Sequence, residues 1–220
     1  MNKLFPAAIA SIVGFAAPAM AEDFDGPYIQ VGIGAAEGKS DMDFGSWFHE
    51  QPSDTQISGT MAAGYAHSFG RFNLGANIAY VLGNQNAGRT VQDYAPNPDE
   101  KNDAISVRMK NMWSVNLEPG VRVGSRGLLY GKLSYSWAKG TWRIDRPLFG
   151  DTTTGKMNLK GYGLGAGYKH NVAGQLYGFT EVQKTWFNKQ DVAVTFDTST
   201  YHDYYDTTSA SAIVGIGFRF

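Results

Sequence analysis

Five charged residues are placed to meet on one face of a sheet. Glu118, Arg122, Lys132, Glu181 and Arg219 each occupy a polar position in a stretch that otherwise alternates with apolar residues. Successive side chains in a strand point to opposite faces, so these charges turn away from their apolar neighbours. Folding the chain about Ser125–Arg126 makes Glu118 and Lys132 neighbours. Buried ions must pair, because an uncompensated charge in a low-dielectric interior is costly. Two uses are open for such an interior polar network. One is a packed plug that fixes strand register, and the other is an ion path opened when the pairs rearrange. Pro119 bears on how Glu118 faces, since proline cannot donate to a ladder and often marks a bulge.

Other chemistry has weaker support. The four histidines are His49, His67, His170 and His202. His67 adjoins Ser68, but both fall at an expected tight turn, as does His170, and no serine, base and orienting acid form a set. No catalytic residue is assigned, and an enzyme is not expected. The polar segments Asp41-Met-Asp-Phe, Trp47-Phe-His-Glu50 and Tyr201-His-Asp-Tyr-Tyr-Asp206 contain carboxylates and imidazoles, which are ordinary metal ligands. Their spacing does not differ from that of solvated loops, so neither a metal nor a cofactor is expected. Aromatic residues among polar ones also suit recognition. Trp47, His49, Tyr201, His202, Asp203, Tyr204, Tyr205 and Asp206 are therefore candidate contacts for a host or matrix ligand. Cysteine is absent and the net charge is −1, which removes disulfides and gives no basic excess for nucleic acid.

The elements that must position these residues are strands. Eight segments alternate: Tyr28–Gly38, Thr55–His67, Phe72–Leu82, Ile105–Val123, Leu128–Lys139, Met157–Lys169, Leu176–Phe187 and Ser209–Phe220. Ser68–Arg71, Gly124–Gly127 and Asn171–Gly174 are turn-forming tetrapeptides. Four longer polar stretches, Lys39–Asp54, Gly83–Asp103, Gly140–Lys156 and Asn188–Thr208, alternate with them. In the last strand Phe220, Phe218, Ile216 and Val214 share one side, with Arg219, Gly217 and Gly215 on the other. In the third, Leu74, Ala76, Ile78, Tyr80 and Leu82 oppose Asn73, Gly75 and Asn77. A soluble β-domain would turn its apolar face inward, and would not then fill the other face with glycine, lysine and glutamate. Apolar outward, polar inward, with short turns alternating with long loops, describes an eight-stranded antiparallel up-and-down transmembrane β-barrel. Tyr65, Tyr80, Tyr135, Trp137, Tyr162, Tyr168 and Trp186 then form aromatic girdles. Lys160 and Lys184 face outward toward the long-loop ends, where they can snorkel to lipopolysaccharide phosphates or to water.

The N-terminus matches a secretory signal: Lys3, an apolar run from Leu4 to Ala17, and Ala19-Met20-Ala21 as the cleavage pattern. The expected division is a signal peptide over residues 1–21, cut between Ala21 and Glu22, and one barrel domain over residues 22–220. An even strand count returns both termini to the periplasmic side of a Gram-negative outer membrane.

Gly64-Tyr65, Leu74-Gly75-Ala76-Asn77, Leu129-Tyr130-Gly131, Gly161-Tyr162-Gly163-Leu164-Gly165-Ala166-Gly167, Glu181 and Gly217-Phe218-Arg219-Phe220 together resemble the small outer-membrane barrels of the OmpA transmembrane-domain and opacity-protein type, a porin-like family. The resemblance spans residues 22–220. It implies that Phe220, Phe218, Ile216 and Val214 serve as the signal read by the β-barrel assembly machinery. Relatives often place a glutamate where this chain has Asn77, and the cell-wall tethering role of a peptidoglycan-binding domain after the barrel is not expected. The implied function is a cell-surface anchor displaying four loops for interaction or adhesion, with a polar plugged interior. The alternatives are a small-conductance pore and a lipid A-modifying enzyme.

Overall fold

The computed structural model describes residues 24–43, 49–50, 53–92, 103–147, 150–196 and 199–220, and the described residues contain strands and turns without a helix. The strands are β1 (Gly26–Asp43), β2 (His49–Glu50), β3 (Ser53–Phe69), β4 (Phe72–Leu82), β5 (Gln85–Gln92), β6 (Asp103–Val123), β7 (Gly127–Arg146), β8 (Asp151–Ala173), β9 (Leu176–Phe187), β10 (Gln190–Phe196) and β11 (Ser199–Arg219). Antiparallel pairing runs β1-β3-β4-β6-β7-β8-β9-β11, and β11 pairs back onto β1 from Tyr28↔Arg219 to Asp43↔Tyr204. The sheet closes into a ring of eight. Closure gives each strand of the ring a hydrogen-bonded neighbour on both sides, which is what a span through hydrocarbon demands. The short strands β2 and β10 extend the ring at one end, where β5 pairs along the upper part of β6.

At the other end the turns are tight and Gly70, Gly124 and Gly174 have φ of 65°, 67° and 54°, a region that glycine enters without a Cβ clash. We refer to this as the turn end, and to its opposite as the long-strand end.

The strands are longer than the alternation of the apolar residues suggests. β7 runs on past Lys139 to Arg146, β8 begins at Asp151 rather than Met157, and β11 begins at Ser199 rather than Ser209. Most of what reads as polar loop in the sequence is paired strand. The reason lies in β7. Through the lower part its outward side chains are Leu129, Leu133, Tyr135 and Trp137, and its inward ones Leu128, Tyr130, Lys132, Ser134 and Ser136. Beyond Trp137 the same outward positions carry Lys139, Thr141, Arg143 and Asp145, while Ala138, Trp142 and Ile144 are buried inside. The strand keeps its period of two and the two faces exchange polarity. β8 changes at the same level, from outward Tyr162 and Leu164 to outward Lys160, Asn158 and Lys156, with Met157 and Leu159 buried inside. A face that is apolar against lipid becomes polar where water replaces lipid, so this inversion marks the edge of the hydrocarbon layer.

β6 makes the exchange through a bulge. Its register with β7 slips between Lys110 and Trp113, and Asn111 adopts φ 50°, a left-handed conformation that asparagine tolerates better than most residues. Ile105, Val107 and Met109 face in above the slip, and Met112, Ser114, Asn116 and Glu118 face in below it. Pro119 causes no bulge: the register is the same at Leu117↔Leu133 and at Gly120↔Tyr130.

Candidate functional site: a paired-charge interior beneath a covered mouth

The lower interior is built around two ion pairs. Lys169 Nζ lies 2.6 Å from Glu118 Oε2 and Lys132 Nζ lies 2.7 Å from Glu181 Oε1, with all four side chains at least nine-tenths buried. The Glu118 carboxylate also accepts from Asn77 Nδ2 at 2.7 Å and from Tyr28 Oη at 3.3 Å. Asn77 donates to Tyr28 Oη as well, at 2.9 Å, and accepts from Asn116 Nδ2 at 2.7 Å. Tyr130 Oη donates to Glu181 Oε2 at 3.0 Å. Two cations and two anions pair with one another inside a ring of amides and phenols, the condition under which buried charge is tolerable.

Lys169 is the residue that sequence reasoning missed. In β8 it follows four inward glycines, Gly161, Gly163, Gly165 and Gly167, which draw attention away from it. They are also what admits it. A Cβ on Gly167 would lie 2.3 Å from Tyr130 Cζ, and one on Gly217 would lie 2.1 Å from Tyr177 Cζ. Removing side chains there lets the rings of Tyr130 and Tyr177 lie across the lumen. Lys169 Nζ sits 4.6 Å from the ring centre of Tyr28, 4.7 Å from that of Tyr130 and 5.8 Å from that of Tyr177, within cation–π range.

Arg219 is buried at the turn end, donating from Nη2 to Asn171 Oδ1 and Gly174 O at 3.1 Å each and lying 5.3 Å from the Phe24 ring. Arg122 is half-buried near the same end, away from the central pairs, its amide donating to Arg71 O at 2.9 Å.

The upper interior differs in kind from the polar filling expected of the whole. Ile105, Val107, Met109, Trp142, Met157, Leu159 and Phe187 form an apolar cluster with Ala87 of β5. Gly155 makes room for the indole, since a Cβ there would lie 2.2 Å from Trp142 Cε2. β5 itself crosses the inner faces of other strands. A Cβ on Gly38 of β1 would lie 2.4 Å from Asn86 O, Ser209 Oγ donates to Gln85 Oε1 at 3.2 Å, and Asn86 N donates to Gln56 Oε1 at 3.2 Å. The inward positions it covers on β1 and β11 are small: Ala36, Gly38, Ser40, Thr207 and Ser209. The mouth is thus closed by a strand lying on a bed of small residues.

Of the candidate ligand contacts, Trp47 lies outside the described residues, as does the signal-cleavage position Ala21–Glu22. His49 belongs to β2, and Tyr201 to Asp206 belong to β11. Those six residues do not form a loop: Val194↔Tyr201, Ala193↔His202 and Val192↔Asp203 pair β10 with β11, and Met42↔Tyr205 and Asp41↔Asp206 pair β1 with it. Tyrosine, which fills three of the six positions, favours extended backbone, and the polarity of the segment conceals this. His67 is exposed, 3.6 Å from Asp25 through Nδ1 and stacked edge-on against Phe69, whereas Ser68 points to the inner face and accepts from Asn73 at 2.9 Å. Adjacent strand residues face opposite ways, so these two cannot act on one substrate atom. His170 Nδ1 contacts Tyr168 Oη at 3.2 Å.

On the outside, Tyr80, Trp113, Trp137, Tyr135, Tyr162 and Trp186 are neighbours across five strands, with Tyr80 and Trp113 ring centres 4.6 Å apart and those of Tyr135 and Tyr162 5.2 Å apart. Tyr65, Phe69, Phe72, Phe218 and Phe220 are exposed toward the turn end. Two aromatic girdles therefore bound the apolar wall.

The family model for the outer membrane protein β-barrel domain matches residues 7–220. Among solved structures the chain is similar to the outer membrane protease OmpT of Escherichia coli, at 12% identity over 89% of this chain and 97% of that one, with a TM-score of 0.55. It is similar also to Ail, the attachment invasion locus protein of Yersinia pestis, at 15% identity over 89% and 99% of the two chains with a TM-score of 0.44. Neisserial surface protein A, NspA, aligns at 12% identity over 88% and 97%, with a TM-score of 0.45. At these identities the likeness is one of fold. The comparison with curated proteins gives no match.

Proposed function

We propose that this chain, which belongs to the family of outer-membrane β-barrel domains and resides in the outer membrane, is a sealed anchor. It carries a rigid, water-exposed tower of strands to the cell surface for interaction with host, matrix or neighbouring molecules. The observation that carries this reading is the exchange of polarity above Trp137 and Tyr162, where the barrel continues out of the lipid with its own apolar core. A structure with that core presents its outer edges in a fixed geometry, so little ordering cost accompanies binding. In this reading the long-strand end faces outward and both termini face the periplasm. Outward-facing Val214, Ile216, Phe218 and Phe220 on β11 are the residues we assign to the barrel-assembly machinery.

The sealed interior distinguishes this reading from a pore. β5 and the Trp142 cluster fill the upper lumen, and the ion pairs fill the lower. A lipid-modifying enzyme has less support still, because the only Ser–His neighbours in the sequence, His67 and Ser68, face opposite sides of the wall at the turn end. OmpT carries the name of a protease, but its likeness to this chain at 12% identity extends to the fold.

Planar-bilayer recording on the refolded protein tests the seal: no discrete conductance is expected, and stable single-channel steps would overturn it. Protease shaving of intact cells tests the orientation. Cleavage within the β10–β11 hairpin is expected, and protection of that hairpin on cells together with cleavage in spheroplasts would reverse the topology. Trimming the hairpin equally from both strands, between Val194 and Tyr201, tests the interaction role by cell-binding assay. Unchanged binding would remove this hairpin from the contact surface.

A further inference from the structure

Above the aromatic girdle the outer wall is electrostatically lopsided. On β6, β7 and β8 the exposed outward side chains include Arg108, Lys110, Lys139, Lys156 and Lys160. None of these five forms an ion pair with a described residue; the neighbouring Arg143 is held by Asp145, Nη2 to Oδ1 at 2.8 Å. Across the ring, the outward charges of β1 and β11 at this height are mixed, Glu37, Asp41 and Asp206 with Lys39 among them. The whole chain is near neutrality, at −1, so the basic sector is a local feature of three adjacent strands.

Two details point to an anion as its occupant. The first is register. Lys110 and Lys139 stand directly opposite each other across the β6–β7 ladder, an arrangement of like charges that destabilises a sheet unless something negative lies between them. The second is shape. A cleft of about 460 Å³ beside this pair is lined by Arg89, Arg108, Lys110 and Arg143, four cations against the one carboxylate of Asp54. Arg108 is held in place there by a hydrogen bond from its Nε to Asn86 Oδ1 at 3.1 Å, which leaves its terminal nitrogens available.

The height of the sector identifies the source of the anion. Lys139 is two residues beyond Trp137, and Lys160 two residues before Tyr162 and directly opposite Trp137. Each lysine is therefore only about 7 Å along its strand from an interfacial aromatic ring. Interfacial aromatics lie at headgroup level, so the lower tier of cations meets lipid phosphate rather than open solvent. Arg143 and Arg89 extend the sector upward, further than a single phosphate reaches. We propose that this sector binds a multiply phosphorylated glycolipid of the surrounding leaflet, one phosphate bridging Lys110, Lys139 and Lys160 and further anionic groups of the headgroup entering the Arg89–Arg108 cleft. The assignment rests on the outward orientation given above, which places this end of the barrel in the glycolipid leaflet.

Native mass spectrometry of the refolded, detergent-solubilised protein tests it. The probes are bisphosphorylated lipid A, its dephosphorylated form and phosphatidylglycerol, with a short heparin fragment as a soluble polyanion. Retention of the bisphosphorylated lipid is expected to exceed that of the dephosphorylated form. The substitution set Lys110→Thr, Lys139→Thr and Lys160→Thr is expected to lower that retention about a hundredfold, at roughly fivefold for each cation facing an acidic lipid. Arg71→Thr, which removes an exposed charge at the turn end, is expected to change it less than about twofold. All three lysines are exposed, and heat-modifiable mobility reports whether the variant is folded. Equal retention of the dephosphorylated lipid, or an unaffected triple variant, would overturn the proposal. Loss of heparin binding in the triple variant with lipid retention intact would assign the sector to a soluble polyanion instead. The measurement is made in micelles and does not depend on which way the barrel faces, so its failure is distinct from a failure of the topology.

Discussion

Lys132 stands level with Glu118 in the β6–β7 register, yet its ammonium is bonded to Glu181, 2.7 Å away on β9. Glu118 takes its partner from β8 instead, at 2.6 Å. Each ion pair therefore skips one strand of the ring and reaches across the lumen. Pairs between adjacent strands would fix only local register, whereas these two tie β6 to β8 and β7 to β9.

Breaking one of these ties should cost more than removing it whole. Lys169→Met leaves Glu118 buried without its closest cation and is expected to destabilise the barrel by ~3–5 kcal/mol. The double substitution Glu118→Gln with Lys169→Met should recover part of that loss. Urea titration of the refolded protein, followed by unboiled gel mobility, compares the two. A double variant as unstable as the single would show that the pair's worth does not lie in charge compensation.

The covered mouth can be opened from its bed. A side chain at Gly38 has no room beneath β5, where a Cβ would meet Asn86 O and Ala87 Cα at 2.4 and 2.8 Å. Gly38→Val is expected to lift β5 and render the segment from Gln85 to Gln92 cleavable by protease in the refolded protein, while the membrane wall stays intact. Resistance equal to that of the wild type would mean that β5 does not lie on Gly38.

The apolar cluster above the lipid should behave as a soluble protein core. Trp142→Ala is expected to cost ~3–5 kcal/mol through lost burial and the cavity left behind. The same truncation at Trp137, on the outer surface, should cost far less. Chemical unfolding midpoints of the two variants provide the comparison, and equal losses would argue against the exchange of faces.

The level of that exchange can be located by charge. Leu133→Arg places an ion in the lipid-facing wall and is expected to cost ~2–4 kcal/mol, whereas Thr141→Arg, eight residues further along the same face, should fall within about 1 kcal/mol of wild type. Comparable penalties at both sites would put Thr141 inside the hydrocarbon layer.

Above the lipid, the Asp145 carboxyl is held below its ordinary range, chiefly by the hydrogen bonds from Arg143 and from Thr152. A depressed carboxyl favours the folded form at pH values above the unfolded group's value of ~3.9. That contribution disappears as pH falls through the lower folded value. Carboxyl-carbon NMR titration is expected to show Asp145 titrating below its neighbours, and Arg143→Gln to raise its midpoint. The shift should shrink at high salt, because the pair is exposed.

The alternation of Leu74 to Leu82, of Leu129 to Trp137 and of Val214 to Phe220 was enough to establish membrane strands, their order, the tight turns at Gly70, Gly124 and Gly174, and the inward facing of Glu118, Lys132, Glu181 and Arg219. Each of these depends on a period of two and on nearest-neighbour hairpins, which are local properties of the chain. The same rule reaches Lys169 but gives it no significance, since its partners are a carboxylate 51 residues away and rings admitted by glycines on other strands. The true lengths of β7, β8 and β11 were hidden for a related reason. Polarity in a strand reports which medium touches each face, and above Trp137 lumen and lipid are replaced by core and water. Ion pairs that skip a strand, a β5 that leaves the wall to lie on Gly38, and basic residues gathered on three strands exist only once the sheet has curved and closed, because closure alone sets the distances across the ring.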